Sequence, residues 1–205
     1  MTSNTYYSAR EGIVGDTVRH TGRFSNTLVI SSFVSAPTYR ALATLRLCQG
    51  LSTFGNFGKP LLFVARILHR FCTRSAGIDL AWHTKIAPGM KFTHGFGTVV
   101  SPGATIGRNC TLFHGATLGR GDRILNNGVR ITGYPILEDE VWVGPHAVIV
   151  GAVTVGKGSR LLAGVFVTED IPAGSLVVGN PGKIVKHNVE PDVSNVFVRT
   201  NKFIA

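Results

Sequence analysis

The sequence predicts a mainly β protein that contains a parallel β-helix, and two features of its middle support this fold class. Aliphatic residues recur at intervals of six, first at Val100, Ile106, Leu112 and Leu118, and then at Leu137, Val143, Ile149, Val155, Leu161 and Val167. A small or β-branched residue stands two positions before most of them, at Ala104, Cys110, Ala116, Ala147, Val153, Ser159 and Val165. A period of six fits neither an amphipathic α-helix nor a flat strand.

A six-residue period is typical of a triangular coil. Each hexad is expected to form one flat face, and three hexads close a turn of about eighteen residues. The aliphatic side chain points into the prism, and the small residue turns the corner. We assign residues 79–188 to this β-helix, with an ejected loop at 119–136, where Gly, Asn and charged residues interrupt the period. Residues 189–205 are predicted to form a strand or an arm.

The segment before the β-helix, residues 1–78, is predicted to be mostly helical. Helices are expected at 37–53 and 60–74, each opened by a proline that suits the first helical turn. In the second of them the apolar residues form a stripe that consists of Leu61, Val64, Leu68 and Phe71. We expect the two helices to pack on the end of the β-helix or on a neighbouring subunit. The alternative is that the second helix, basic and amphipathic, lies on the inner face of a membrane.

Composition indicates a globular chain. It has 205 residues, 44% of them hydrophobic, which suffices for one domain with an appendage. No apolar run approaches the roughly eighteen residues of a membrane span, and the first residues lack the charged-then-apolar order of a signal peptide. The cysteines, Cys48, Cys72 and Cys110, are odd in number and lack metal-ligand spacing. They indicate reduced thiols and a cytoplasmic location.

The net charge of +10 is unevenly distributed. Residues 1–78 contain nine Lys and Arg against two acidic residues, Glu11 and Asp16. A basic chain binds nucleic acid, an anionic membrane face or a phosphorylated ligand. No nucleic-acid motif is present, and aromatic residues are not interleaved with the basic ones, so nucleic acid is disfavoured as a partner.

Three stretches of sequence resemble the hexapeptide-repeat acyltransferases, and within them the branch similar to serine acetyltransferase. They are NCTLFHGATLG (109–119), VWVG (141–144) and VVGNPGKIV (177–185), the last with Gly182 where the family usually has Ala. The resemblance implies a left-handed β-helix, transfer of an acetyl group from acetyl-CoA without a metal, and a homotrimer. Phe92, Phe113 and Trp142 are expected to supply apolar outer surface for that assembly.

The resemblance also assigns a catalytic pair. His94, in MKFTHG, falls where the family has its catalytic histidine, and Asp79 lies fifteen residues upstream, as the family's carboxylate does. A neutral imidazole takes the proton of an attacking hydroxyl, and a carboxylate on its other nitrogen stabilises the imidazolium. His114, twenty residues after His94, is the competing base or a further active-site residue, whereas His146 is interpreted as outward-facing and structural.

Cofactor contacts follow from the same resemblance, because the family binds the pantetheine arm of coenzyme A in a groove between adjacent prisms. The expected contacts are small residues, which admit the thin arm, and cations, which meet phosphate. They are Gly119, Arg120, Gly144, Pro145, Ala163, Gly164 and Lys183. For each glycine a plain requirement of a turn is the alternative interpretation.

The acceptor is inferred from a departure from the family pattern. Serine-specific enzymes carry an Arg-His pair before a proline of the ejected loop, and this chain has Gly133 and Tyr134 before Pro135. Without the guanidinium a substrate carboxylate loses its bidentate partner. We therefore expect a saccharide acceptor of capsule, exopolysaccharide or lipopolysaccharide biosynthesis, with Tyr134 and Trp142 against the sugar ring. Serine or an amino sugar is the alternative acceptor.

Two other classes of protein remain to be distinguished. One is a non-catalytic β-helix scaffold, which would show no turnover of acetyl-CoA. The other is a zinc enzyme of the β-helix carbonic anhydrase type, which needs three histidines at one metal, two of them about five residues apart. His83, His94, His114 and His146 lack that spacing, so a metal site is not expected.

Overall fold

A computed structural model describes residues 7–198, which form four N-terminal helices followed by a parallel β-helix. The helices are α1 (Ala9–Thr21), α2 (Asn26–Ser35), α3 (Pro37–Ser52) and α4 (Gly55–Ala76). The helix predicted at 37–53 is confirmed as α3. The helix predicted at 60–74 lies within α4, but it begins earlier, so Pro60 stands inside the helix and does not open it. The sequence analysis did not predict α1 or α2.

Short strands form the three faces of the prism, as predicted, and are numbered in chain order. The first face contains β1 (Ile78–Leu80), β4 (Thr98–Val100), β7 (Thr117–Gly119), β12 (Val148–Val150) and β15 (Phe166–Val167). The second contains β2 (Lys85–Ile86), β5 (Thr105–Ile106), β10 (Ile136–Leu137) and β13 (Thr154–Val155). The third contains β3 (Lys91–Thr93), β6 (Thr111–Phe113), β11 (Trp142–Val143), β14 (Arg160–Leu161), β16 (Leu176–Val178) and β17 (Lys183–Lys186). All pairs within these faces are parallel except β16 with β17, which closes the last coil.

The hexad aliphatics fill the prism and stack from coil to coil. On the second face Ile106, Leu137 and Val155 are in register across three strands, and each is at most 1% exposed. Phe92 is also buried within the prism, so the expectation that it forms outer surface is wrong. It is in register with the inward-pointing Leu112. Phe113 and Trp142 do lie outside, with ring centroids 4.7 Å apart.

The interruption of the period is a β-hairpin. β8 (Gly121–Ile124) and β9 (Arg130–Gly133) pair antiparallel and leave the prism between β7 and β10. Asp122 ties the hairpin together by accepting hydrogen bonds from Thr132 at 2.8 Å and Arg130 at 2.7 Å. The hydrogen bond from Thr132, and after it the one from Arg130, lowers the pKa of the Asp122 carboxyl group.

The C-terminal segment is an arm rather than a strand as far as Val198, the last described residue. It returns to the helical end of the prism, where Phe197 is buried. The Asn109 side chain holds it there, because its amide nitrogen donates to the Phe197 carbonyl at 3.0 Å and its oxygen accepts from the Phe197 amide at 2.9 Å. The prediction for residues 199–205 lies outside the described residues.

The three cysteines are free and buried. Burial raises the pKa of the Cys48 thiol to about 11 and that of Cys110 to about 12. Because the thiolate is the reactive form of cysteine, these two residues are unsuited to nucleophilic catalysis at neutral pH.

A buried ion pair attaches the helices to the first coil. Arg46 of α3 donates from Nε to Asp16 of α1 at 2.8 Å, and its terminal nitrogens donate to the carbonyls of Ile86 and Ala87 at 2.6 and 3.0 Å. Oδ1 of Asp16 accepts from the backbone amides of Gly89 and Met90 at 3.0 and 2.9 Å. The turn between β2 and β3 therefore has its polar groups satisfied by two helices.

The face that α4 buries is not the apolar stripe that the sequence shows. Its buried face consists mainly of small residues and His69, and includes Ala65, Cys72 and Ala76. α3 and α4 do pack on the end of the β-helix, as predicted, since Leu42, Leu45 and Ala76 belong to the same core as the first coil. The predicted stripe of Leu61, Val64, Leu68 and Phe71 takes no part in that packing and is 39–71% exposed in the single chain. Small side chains allow α4 to approach its neighbours closely, which a row of Leu and Phe would prevent. Among residues 7–198, no helix is long and apolar enough to cross a membrane.

Replacing Asp16 with Ala is expected to lower the free energy of unfolding by about 3–5 kcal/mol, because Arg46 would remain buried without its partner. Chemical denaturation followed by circular dichroism measures the change. Glu190→Ala is the control, since Glu190 is exposed. Equal stability of the two variants would contradict the assigned role of the ion pair.

The free energy of unfolding is also expected to decrease when the pH is lowered, because His69 is buried. Its Nε2 donates to the Leu80 carbonyl at 2.9 Å and its Nδ1 lies 2.9 Å from the Thr44 hydroxyl, and burial lowers its pKa. The neutral ring is thus favoured in the folded state. Stability is retained above the unfolded pKa of about 6.5 and is lost as the pH falls from there towards the lowered folded value.

Urea denaturation at pH 7.5 and 5.5 tests this expectation. His69→Gln should reduce the difference between the two free energies of unfolding, while His83→Gln, at an exposed position, should leave it unchanged. An unaltered difference in His69→Gln would contradict the assignment.

Candidate functional site

Three histidines from successive coils lie at one corner of the prism, between its third and first faces. The ring centroids of His94 and His114 are 6.2 Å apart, and those of His114 and His146 are 5.1 Å apart. The coils are directly connected there, since the amide of His146 donates to the carbonyl of His114 at 3.0 Å. We call these three residues the histidine column.

The backbone of the corner explains why the column forms. His94 and His146 have positive φ angles of 56° and 57°. Each therefore turns the chain sharply, His94 directly after β3 and His146 in the turn that follows β11. Gly115, at φ 68°, lies against the His146 ring, and a Cβ atom there would overlap Nδ1 of His146. The absence of a side chain at Gly115 therefore lets the His146 ring pack on the coil below.

His114 has a distinct environment within the column. It is half-buried between the other two rings, and its Nδ1 is inaccessible to solvent with no hydrogen-bond partner among the described residues. A buried polar atom without a partner costs free energy. His94 and His146 are exposed, so the outer surface of the column is open to a ligand.

Asp79 lies on the outer surface of the first face. It is exposed in the middle of β1 and is in register with Val99 of β4, the strand that follows the His94 turn. Among residues 7–198, Asp79 and His94 form no hydrogen bond or ion pair with each other. Asp79 lies on the first face and His94 at its border, and no bond joins their side chains. Their pairing in catalysis therefore stays a prediction.

The outer surface of the first face is largely apolar. Its row in register with Asp79 continues through Val99, Thr117, Val148 and Phe166. The row starts next to the helices and runs parallel to the histidine column. It provides a face on which a second prism or a thin apolar ligand could lie.

The residues predicted to bind the cofactor divide between two corners. Gly144 and Pro145 lie at the corner of the column, and the amide of Gly164 donates to the Pro145 carbonyl at 2.8 Å, which places Ala163 and Gly164 one coil further on. A Cβ on Gly144 would approach the Leu161 carbonyl oxygen to 2.8 Å.

Lys183 is exposed beside Val178, near the far end of the same edge. Gly119 and Arg120 lie across the first face, where the hairpin leaves the prism.

The two aromatic residues predicted to contact a sugar lie on different surfaces of the chain. Trp142 is on the third face, between Phe113 and the Arg160 guanidinium, which lies 5.6 Å from the Trp142 ring centroid. Tyr134 lies at the base of the hairpin, over Gly103. One chain therefore does not bring them together around a single ring.

His146 is the member of the column that the sequence analysis assigned to structure alone. The spacing contained the relevant information, because His94 and His114 are twenty residues apart, close to one coil of about eighteen. His114 and His146 are thirty-two residues apart, and the hairpin accounts for the excess. Discounting the ejected loop would have aligned all three.

The arrangement suits proton transfer better than metal binding. Neutral imidazole groups accept a proton from a hydroxyl near neutral pH. In the described part of the chain, no group of three or more His, Cys, Asp or Glu side chains is arranged to hold a metal ion. The histidine rings contact one another edge to face, so their nitrogens do not converge on one point.

Comparison with known proteins confirms the fold. No family model matches the chain. The structure superimposes on the soybean serine acetyltransferase apoenzyme with a TM-score of 0.69 and 26% identity, covering 87% of this chain and 69% of that one. It superimposes on a Neisseria gonorrhoeae serine acetyltransferase with a TM-score of 0.66 and 22% identity, covering 89% of this chain and 66% of that one.

A curated relative is similar in sequence as well. Serine acetyltransferase 2 of Arabidopsis thaliana is 31% identical over 164 residues, which are 80% of this chain and 48% of that protein. The chain thus spans about half the length of the curated relative that it matches.

Proposed function

We propose that this chain is an acyltransferase that moves an acetyl group from acetyl-CoA to a hydroxyl, with a histidine as general base. The observation that carries the proposal is the histidine column, which lies beside the edge formed by Pro145, Ala163 and Gly164. A Cβ atom added at Gly164 would meet no atom within 4 Å, so this edge is open to a thin ligand. The similarity to three serine acetyltransferases supports the same chemistry. A non-catalytic scaffold would have no need of an exposed imidazole at this corner.

L-Serine is the first candidate for the acceptor, because the similar proteins bear the name serine acetyltransferase. This order reverses the one that the sequence analysis favoured. A saccharide is the second candidate, and one specific observation favours it. The hairpin ends in Gly133 and Tyr134, with no guanidinium at those two positions to hold a carboxylate. Gly133 also approaches the backbone of Ala152 so closely that a larger side chain would not fit there.

The chemistry requires one proton to move twice. As the acceptor oxygen attacks the thioester carbonyl, a nitrogen of His94 removes the hydroxyl proton, and a tetrahedral oxyanion forms. When that intermediate collapses, the carbon–sulfur bond breaks and the imidazolium returns the proton to the leaving thiolate. The products are the acetyl ester and free coenzyme A. Asp79 would stabilise the imidazolium once substrate draws the two side chains together.

We propose that coenzyme A binds along the corner between the third and first faces, at the end that lies away from the helices. Ala163 and Gly164 would admit the pantetheine arm, and Lys183, which is exposed, would meet phosphate. Gly119 and Arg120 lie on the opposite side of the first face. They would therefore contact the same ligand from a neighbouring prism, which is one reason to propose a homotrimer. Use of acetyl-CoA supports a cytoplasmic location.

L-Serine is expected to stimulate release of coenzyme A from acetyl-CoA more than any saccharide does. A thiol-detection assay with L-serine, hexoses, sialic acids and capsule oligosaccharides measures this, with acceptor-free protein as the control. Stimulation by a saccharide alone would favour the second candidate. Turnover with all acceptors no higher than the acceptor-free rate would contradict the proposed activity.

His94→Ala is expected to lower kcat by about a hundredfold or more, with little change in the affinity for acetyl-CoA, because the general base is lost. Steady-state kinetics and calorimetric titration separate the two effects. His114→Ala is the matched variant and should cost less, since its ring is half-buried between its neighbours.

A larger loss in His114→Ala would assign the base to His114. Asp79→Asn tests the carboxylate in the same assay. Full activity of that variant would show that Asp79 has no part in catalysis.

A further inference from the structure

The outer surface of α4 is divided into three longitudinal zones. At 100° per residue, the small residues and His69 that pack against the protein occupy one zone. A second zone, which we call the apolar face, consists of Phe57, Leu61, Val64, Ile67, Leu68 and Phe71. The third zone, which we call the basic zone, consists of Lys59, Arg66, Arg70 and Arg74, with the exposed Phe63 among them. The basic zone borders the apolar face along the length of the helix.

The apolar face has no partner within the chain. Phe57 is 94% exposed, and the other five residues are between 39% and 71% exposed. Two further aliphatic side chains of the helical segment, Ile30 and Val34 of α2, are also more than half exposed. A surface of this kind marks a site for a protein partner or a membrane.

The charge around the apolar face indicates which kind of partner it suits. Residues 17–78 contain eight Lys and Arg and no Asp or Glu. Lys59, Arg70 and Arg74 are exposed, and in the part of the chain that the structure describes none of them lies within ion-pair distance of a carboxylate. Arg66 lies over the Trp82 ring, 5.8 Å from its centroid. An anionic surface would therefore meet uncompensated positive charge beside exposed Phe and Leu.

We propose that α4 lies in the interface of an anionic lipid bilayer, with its apolar face at the level of the acyl chains and its basic zone against the headgroups. An interfacial helix has this division of residues, with Phe and Leu on one side and Lys and Arg on the other. Anionic lipid attracts each such cation. The α4 helix of a second copy fits less well, because two apposed α4 helices would bring their Lys and Arg side chains together, and residues 17–78 contain no Asp or Glu to compensate them.

The proposed orientation leaves the rest of the protein accessible. α4 leads directly into β1, whereas β17 closes the coil at the opposite end of the prism. The histidine column runs along the prism away from the helices, so its later members stand away from the bilayer. The protein would thereby act next to the membrane surface. This proposal does not depend on the acetyl transfer proposed above.

Vesicle sedimentation with the full chain tests the proposal. Vesicles of phosphatidylcholine mixed with phosphatidylglycerol are expected to bind the protein, and vesicles of phosphatidylcholine alone to bind it much less. Phe57→Ser combined with Leu61→Ser should lower the partition coefficient by about tenfold or more, because two large apolar side chains no longer enter the interface. Lys59→Gln, Arg70→Gln and Arg74→Gln should each lower it by about fivefold and reduce its salt dependence.

Val185→Ser and Lys186→Gln are the matched controls. Both residues are exposed on β17, at the other end of the prism, and their replacement should leave vesicle binding unchanged. All of the substituted side chains are exposed, so circular dichroism and thermal unfolding should show that every variant folds like the original protein.

Analytical ultracentrifugation of the same proteins without lipid gives the competing outcome. The proposed trimer has three chains of 21.9 kDa, and its mass should be the same in the original protein and in Phe57→Ser/Leu61→Ser. If the original protein does not bind anionic vesicles, the membrane proposal is overturned. A double variant of lower mass, together with absent vesicle binding, would show that the apolar face joins copies of the chain instead.

Discussion

The contact on which the rest of the structure depends is the buried pair of Asp16 and Arg46. It satisfies the backbone amides and carbonyls of the turn between β2 and β3, and it joins α1 to α3 at the same point. Removing two charges from water is costly, and this geometry offsets the cost because nearly every polar atom of the pair has a partner. The first coil of a β-helix exposes unpaired backbone groups, and here two helices cover them.

Once the first coil is held, the later coils follow by repetition. Each strand finds its register from the one below, and the aliphatic at each hexad stacks on its equivalent, as Ile106, Leu137 and Val155 do. The same repetition brings the three histidines together at one corner of the prism. His94, His114 and His146 are far apart in sequence and close in space because each turns the same corner one coil later. Gly115 makes the closest of these contacts sterically feasible.

The two ends of the molecule have different surfaces, in keeping with the separate proposals of membrane contact at one end and acetyl transfer along the prism. The helical end carries the exposed apolar face and most of the uncompensated positive charge. The prism carries the histidine column and the apolar outer row between Val99 and Phe166. The ejected hairpin, fixed by Asp122, stands at the other border of that row. The acceptor would bind between the hairpin and the histidine column, so residues of these two elements, and not of the helices, would determine which acceptor is preferred.

The sequence by itself determined the coil, because a six-residue aliphatic period has one structural solution that buries every member. It also predicted α3 and the ejected segment, and it singled out His94 and His114, whose ring centroids lie 6.2 Å apart, as candidate site residues. Tertiary structure alone decided the direction in which α4 faces. Its pattern showed an apolar stripe, but helix docking selected the face of Ala65, Cys72 and Ala76, since small side chains permit closer packing. Phe92 points inward because β3 is in register with β6, which sets it beside the inward-pointing Leu112. His146 joined the column only in the fold, because the hairpin between it and His114 obscured the coil spacing in the linear sequence.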